Sequence, residues 1–146
     1  RYFEDFHVGQ LFETGSFIVD RKRMIEFAHE YDPQGFHTDD EKAKEFMFES
    51  AIASGWLTAS ITMRLLVHSE FWASGGVVGI GADHIRWPLP VFAGDELRVT
   101  CEIMEMKLTK SRPDKGFMKI SCITNNQHGQ DVMNMVCNTL VQRQRG

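Results

Sequence analysis

Apolar residues recur along this chain with two different periods, helical in the first half and alternating in the second. Residues 10–19 alternate weakly and predict a first strand. Asp20 can cap a helix over 21–31, with Met24, Phe27, Ala28 and Tyr31 as its apolar stripe. Thr38-Asp39-Asp40-Glu41 has the pattern of a capping box and starts a short helix over roughly 39–46. A small-residue turn at Gly55 opens the longest helical pattern, roughly 56–71. Its apolar residues wrap most of the way round, so this helix needs cover on nearly all sides.

From Gly75 onward the pattern is that of strands. Val77 to Trp87 is rich in strand formers and ends at Pro88 and Pro90, where a ladder donor is missing. Leu97, Val99, Cys101 and Ile103 alternate with polar residues, and then the phase slips, with Met104, Met106 and Leu108 carrying on the apolar set. A one-residue slip in a period-two pattern predicts a β-bulge near Ile103-Met104. Arg112 to Gly116 reads as a turn, Met118, Ile120 and Cys122 as the next strand, and Gln127-His128-Gly129 as another turn. Met133, Met135, Cys137, Thr139 and Val141 complete the sheet. Helices early, strands late and one apolar helix between them predict an α+β fold, an antiparallel sheet wrapped around a long central helix.

The bulk properties narrow the function classes. The chain has 146 residues, 42% hydrophobic and 25% charged, with a net charge of −4. That suits one domain over 1–146 with a core of its own. An acidic balance with no Lys/Arg stripe argues against nucleic acid as a partner. The apolar run from Ala51 to Val67 is diluted by Ser54, Thr58, Ser60 and Thr62 and broken by Arg64, which favours a buried helix over a membrane span. Three cysteines without a C-x-x-C pair, and no charged-then-apolar leader, suggest a reduced cytoplasmic setting with core thiols.

The chemistry concentrates in Tyr31-Asp32-Pro33-Gln34-Gly35-Phe36-His37-Thr38-Asp39. Pro33 drives Asp32 out of the helical region, and Gly35 offers the freedom of a tight bend. Asp32 is therefore expected at one helix end and His37 just before the next helix, both facing one pocket. Such a pair can hold a water and handle its protons, although a plain turn with a surface histidine would show the same spacing. The other histidines, His7, His29, His68, His84 and His128, have no metal-ligand spacing, so no metal site is expected. With no glycine-rich phosphate loop, no nucleotide cofactor is expected either.

Ile52-Ala53-Ser54-Gly55-Trp56-Leu57-Thr58-Ala59 follows, a small-residue turn into the apolar helix. Together with the Asp–His segment, the leading Tyr2-Phe3-Glu4-Asp5-Phe6 with Gly9, Trp87-Pro88 and Gly94-Asp95, it resembles the MaoC-like dehydratases, or (R)-specific enoyl-CoA hydratases, of the hotdog fold. The resemblance spans nearly the whole chain. It departs where family members often read Asp-x-Asn-Pro-x-His, because here Pro33 and Gln34 follow Asp32.

The resemblance implies reversible hydration of a trans-2-enoyl thioester, on coenzyme A or a carrier protein, with coenzyme A present only as part of the substrate. It assigns Asp32 as the base that activates water and His37 as the group that orients it and delivers a proton. Gly55, through its N–H, and Ser54 would serve the thioester oxygen, with a simple helix cap as the alternative role. Gln34, Phe36 and Trp56 are candidate pocket residues, and Lys110, Arg112 and Lys115 could meet phosphate or merely form a solvated turn. The resemblance also implies a homodimer, with higher assembly left open. Two other readings stand beside hydration: a hotdog acyl-CoA thioesterase and a non-catalytic acyl-thioester-binding subunit.

Overall fold

The computed structural model describes residues 1–144. Five strands form one antiparallel sheet: β1 (Leu11–Ile18), β2 (Val77–Arg86), β3 (Glu96–Leu108), β4 (Lys115–Asn125) and β5 (Asp131–Gln142), in the spatial order β1-β3-β4-β5-β2. Four α-helices precede β2: α1 (Arg21–Tyr31), α2 (Gly35–Thr38), α3 (Asp40–Phe46) and α4 (Gly55–Val67). The central helix α4 packs against β1, β3 and β5. Alternating side chains of β3, β4 and β5, including Leu97, Val99, Cys101, Ile103, Met118, Ile120 and Cys122, meet Ile61, Leu65 and Leu66 of α4 in one core. This is the expected α+β arrangement.

Helix starts follow their side-chain chemistry. Asp20 caps α1 by accepting from the Arg23 N–H at 3.0 Å. The cap of α3 is Asp39, whose carboxylate accepts from the Glu41 and Lys42 N–H groups. Thr38, read as the first residue of a capping box, instead turns its hydroxyl back to the carbonyls of Gln34 and Gly35 and closes α2. On α1, Met24 and Ala28 are buried as expected, but Tyr31 is exposed and only leans on Phe27.

The central helix has 13 residues and stops at Val67, short of the expected end. Ser69 explains the stop. Its hydroxyl donates to the Leu66 carbonyl and accepts from the Phe71 N–H, a local bonding pattern that competes with helix propagation. The chain then folds back, and Phe71 enters the core against Phe6 and Phe12. Nor is α4 covered all round. Trp56, Met63 and Val67 are exposed along one stripe of it.

In the sheet, the register shift between Ile103 and Glu105 is the bulge that the phase slip predicts. It ejects Met104 to solvent, and Leu108, assigned to the apolar set, is exposed as well. Strand β2 pairs only with β5, its register shifts near Gly79 and Ala82, and most of its residues are exposed. Cys101 and Cys122 are buried opposite one another, while Cys137 is only half-buried.

A buried polar contact fixes how deep α4 sits on the sheet. The Thr62 hydroxyl donates to the Thr58 carbonyl at 2.9 Å and lies 2.6 Å from the hydroxyl of Thr124 on β4. Thr62→Val should therefore strand the buried Thr124 hydroxyl and lower stability by about 1–3 kcal/mol. Replacing both threonines with valine should recover much of that loss, because no orphaned group remains. Urea unfolding of the single and double variants checks the non-additivity.

Candidate active site

Pro33 ends α1, leaving Asp32 as its C-terminal cap at φ −152° and ψ 64°, outside the helical region as expected. The chain then makes the single turn α2, and His37 lies inside that turn. Gly35 opens α2 with no positive φ, so the conformational freedom assigned to it is not used. Its small size matters instead, since a Cβ there would press on the Lys42 side chain.

Facing this turn is the segment that leads into α4, and three hydrogen bonds pin it in register. The Ala51 N–H reaches the Asp40 carboxylate at 2.9 Å, the Ile52 N–H the Phe36 carbonyl at 3.0 Å, and the Ala53 N–H the Val91 carbonyl at 2.8 Å. These tethers aim the Ile52 carbonyl at the buried His37 ring, 2.8 Å from Nδ1. They also bring Ser54, the cap of α4, under Asp32. The Ser54 hydroxyl donates to Asp32 Oδ2 at 2.8 Å and accepts from the Trp56 N–H at 3.3 Å.

Asp32 and His37 meet directly, with His37 Nε2 3.1 Å from Asp32 Oδ2. A carbonyl oxygen can only accept, so the Ile52 contact requires the hydrogen on Nδ1. A neutral ring in that tautomer would turn a lone pair towards the carboxylate. The 3.1 Å contact therefore calls for a proton between Nε2 and Oδ2, and the two groups share it as one coupled unit. Partial burial alone would raise the Asp32 carboxyl. Hydrogen bonds from Gln34 and Ser54 and the charge on His37 outweigh burial and hold it below its usual range.

Gln34 was expected in the pocket wall. It reaches the other carboxylate oxygen instead, donating from Nε2 to Asp32 Oδ1 at 2.6 Å. Phe36 also lies outside the cavity lining. It packs edge-on to the His37 ring and against Phe46 and Phe48. Trp56 does line the cavity, which has a volume of about 380 Å³ and has Asp32, His37 and Gly55 in its wall. Apart from Thr58, the rest of the wall is apolar, from Phe48, Ile52, Trp87, Leu89 and Val91 among others. As the first residue of α4, Gly55 has an N–H with no acceptor inside the helix. The space that its missing Cβ leaves is filled by the Trp87 indole, and Trp87 Nε1 donates to the Gly55 carbonyl at 2.9 Å. Sequence reasoning had no sign of the Ile52 carbonyl, whose role belongs to the backbone. In the sequence Trp87 stands out only as the end of a strand-forming run and as half of Trp87-Pro88.

The loop lysines and arginines fall elsewhere. Lys115 pairs with Asp114 at the start of β4, and Arg112 lies in the same turn. His29 is exposed on α1.

Because the Asp32 carboxyl is lowered on folding, its contribution to stability is complete above the ordinary carboxyl value near 3.8 and is lost as pH falls through the lowered folded value. Gln34→Ala removes a donor to the charged form and should move the Asp32 titration upward. The variant should be less stable than the parent at neutral pH, and the gap should close on acidification through that range. Denaturant unfolding across pH, with carbonyl-carbon NMR of Asp32, checks it. A gap independent of pH would reduce Gln34 to a packing role.

Known proteins carry the same architecture. The family model for the MaoC like domain matches residues 6–126. The uncharacterized protein YdeM of Bacillus subtilis is 31% identical over 140 residues, covering 96% of this chain and 98% of that one. A crystal structure of the MaoC-like dehydratase from Rhodospirillum rubrum superposes with a TM-score of 0.94 at 38% identity, covering 100% of this chain and 99% of that one. The (R)-hydratase from A. caviae involved in PHA biosynthesis shares the fold at 24% identity and a TM-score of 0.71, covering 97% and 99%. With the sheet order, the central helix and the family match in agreement, this chain belongs to the MaoC-like dehydratase family of the hotdog fold.

Proposed function

We propose that this protein hydrates trans-2-enoyl thioesters to 3-hydroxyacyl thioesters, or catalyses the reverse dehydration, with Asp32 and His37 as the catalytic residues. The observation that carries this reading is the coupled Asp32–His37 pair in the wall of an apolar cavity, its tautomer set by the Ile52 carbonyl. Coenzyme A or a carrier protein enters only as the thioester arm of the substrate, and the reaction uses no separate cofactor.

Hydration needs a base and an acid side by side, and the pair offers a carboxylate and an imidazole in contact. Water must give its oxygen to C3 and a proton to a base, while C2 gains a proton from an acid. The Asp32 carboxylate takes the proton from water, and the His37 imidazolium protonates C2. This leaves a neutral imidazole beside a carboxylic acid, and the 3.1 Å contact returns the proton from Asp32 to His37 for the next turnover. Charge that builds on the thioester oxygen is met by the Gly55 N–H at the first turn of α4, where the helix dipole adds its positive end. Ser54 holds the Asp32 carboxylate in place while capping that same helix.

Assembly follows from what one chain leaves open. Val78 and Ile80 on the edge strand β2 are 59% and 55% exposed, and α4 presents Trp56, Met63 and Val67 to solvent. An unpaired edge beside uncovered apolar side chains is a surface for a second copy. A chain of the ChsH1-ChsH2 complex from Mycobacterium tuberculosis has this fold at 17% identity and a TM-score of 0.73. We read the protein as a homodimer. Among the described residues no helix is long and apolar enough to cross a membrane. A cytoplasmic, acyl-thioester role in fatty acid metabolism fits this reading.

Two tests follow. Asp32→Asn and His37→Ala should each lower turnover of crotonyl-CoA by about a hundredfold or more. The double variant should be little worse than either single one, because both act on the same protons. Near-parental turnover in either single variant would end this mechanism, and hydrolysis of saturated acyl-CoA without hydration would favour the thioesterase. In light scattering at micromolar concentration the parent should run as a dimer, and Ile80→Lys should shift it towards monomer.

A further inference from the structure

We propose that Trp87 sets the acyl-chain length this site accepts, by acting as a rigid wall locked onto Gly55. This inference rests on the acyl-thioester reading above and adds a specificity-determining residue to it. Trp87 directly follows β2, ahead of Pro88, and is 38% exposed, so its ring is held by particular contacts and not by general burial. Its Nε1–H donates to the Gly55 carbonyl at 2.9 Å. The five-membered edge of the indole lies where a side chain on residue 55 would begin, since a Cβ built on Gly55 would fall 2.5 Å from Cε2 and 2.8 Å from Nε1. Trp56 closes on it edge-to-face, with ring centroids 5.1 Å apart.

These contacts fix the ring on two sides in the wall of the cavity that holds Asp32 and His37. Elsewhere in the wall Ile52, Ala53, Thr58 and Val91 belong to the buried core, whereas the rim at Met47 is less constrained. Met47 is largely exposed and carries a flexible thioether that can yield to a ligand. An indole hydrogen-bonded to the backbone of the central helix cannot yield without breaking that bond and vacating the glycine. The cavity of about 380 Å³ is therefore bounded by a wall that stays where it is as the substrate lengthens. Gly55 then meets two demands, presenting its N–H to the thioester and leaving room for the indole.

Substitution at Trp87 tests the wall directly. Each methylene admitted to the vacated space is worth roughly fourfold in affinity. Trp87→Ala should therefore raise the preference for decanoyl over butyryl chains at least about tenfold. Trp87→Phe keeps most of the filler but loses the lock, so its ratio should shift in the same direction as that of Trp87→Ala and by clearly less. Trp87→Leu should fall between, and it serves as the reading if the alanine variant folds poorly. The ratio is measured in two ways: as kcat/KM for crotonyl- and trans-2-decenoyl-CoA, and as Kd for butyryl- and decanoyl-CoA by calorimetry.

An unchanged ratio in Trp87→Ala, or in Trp87→Leu where that variant is the one read, overturns the proposal. So does a Trp87→Phe shift as large as that of Trp87→Ala, because a wall that fills space keeps part of its effect in phenylalanine. Absence of turnover on every enoyl-CoA would overturn the hydratase reading, while the calorimetric ratio would still decide the role of Trp87. Failure to bind any acyl-CoA would overturn both.

Discussion

The hydrogen bond from His37 Nδ1 to the Ile52 carbonyl is the contact on which the site depends. It joins two segments that are 15 residues apart in sequence, and it does so with a backbone acceptor that can only accept. That single constraint keeps a hydrogen on Nδ1 and turns Nε2 towards Asp32. Without it the ring could present either nitrogen, and Asp32 would face a partner of undetermined chemistry. A carbonyl is a dependable anchor because it does not titrate, so the orientation of the ring holds while its charge changes.

The carbonyl can do this only because the segment that carries it is fixed from both sides. Asp40, Phe36 and Val91 hold Ala51, Ile52 and Ala53 in turn, drawing on α3, α2 and the loop after β2. The same segment ends at Ser54, whose hydroxyl is both the cap of α4 and a donor to the Asp32 carboxylate. The sequence set service to the thioester oxygen against a simple helix cap at Ser54; in the fold its hydroxyl caps α4 and also positions the Asp32 carboxylate. With Gln34 on the opposite oxygen, Asp32 is gripped from both sides and kept charged against the pull of partial burial.

What was legible in the sequence was whatever depends on local rules. The Asp20 cap, the Pro33 break, the bulge after Ile103 and the alternation of β3, β4 and β5 follow from backbone sterics and periodicity within a few residues. The pairing of Asp32 with His37 was legible as a spacing, and its geometry bears that out. Misreadings arose where a long-range contact or a competing side chain decides the outcome. Ser69 stops α4 early, and Thr38 spends its hydroxyl on α2, leaving Asp39 to cap α3. Gln34 left the pocket because a short reach to a carboxylate is worth more to an amide than an apolar wall. The Ile52 carbonyl could not be read at all, since every residue type carries one.

Gly55 shows how one position can be constrained from opposite directions. Read along the chain, a glycine after a small-residue turn suggests an opening through which a substrate approaches the backbone. In the fold, the face its Cβ would occupy is already taken by Trp87, while its N–H points out of the first turn of α4 on a different bearing. The two demands are compatible because N–H and Cβ leave the same Cα in different directions. A larger residue would meet the indole first, before it met any substrate. The absence of a side chain at this position therefore reflects the packing of the chain against itself, and the donor it leaves free is a consequence of where the helix begins.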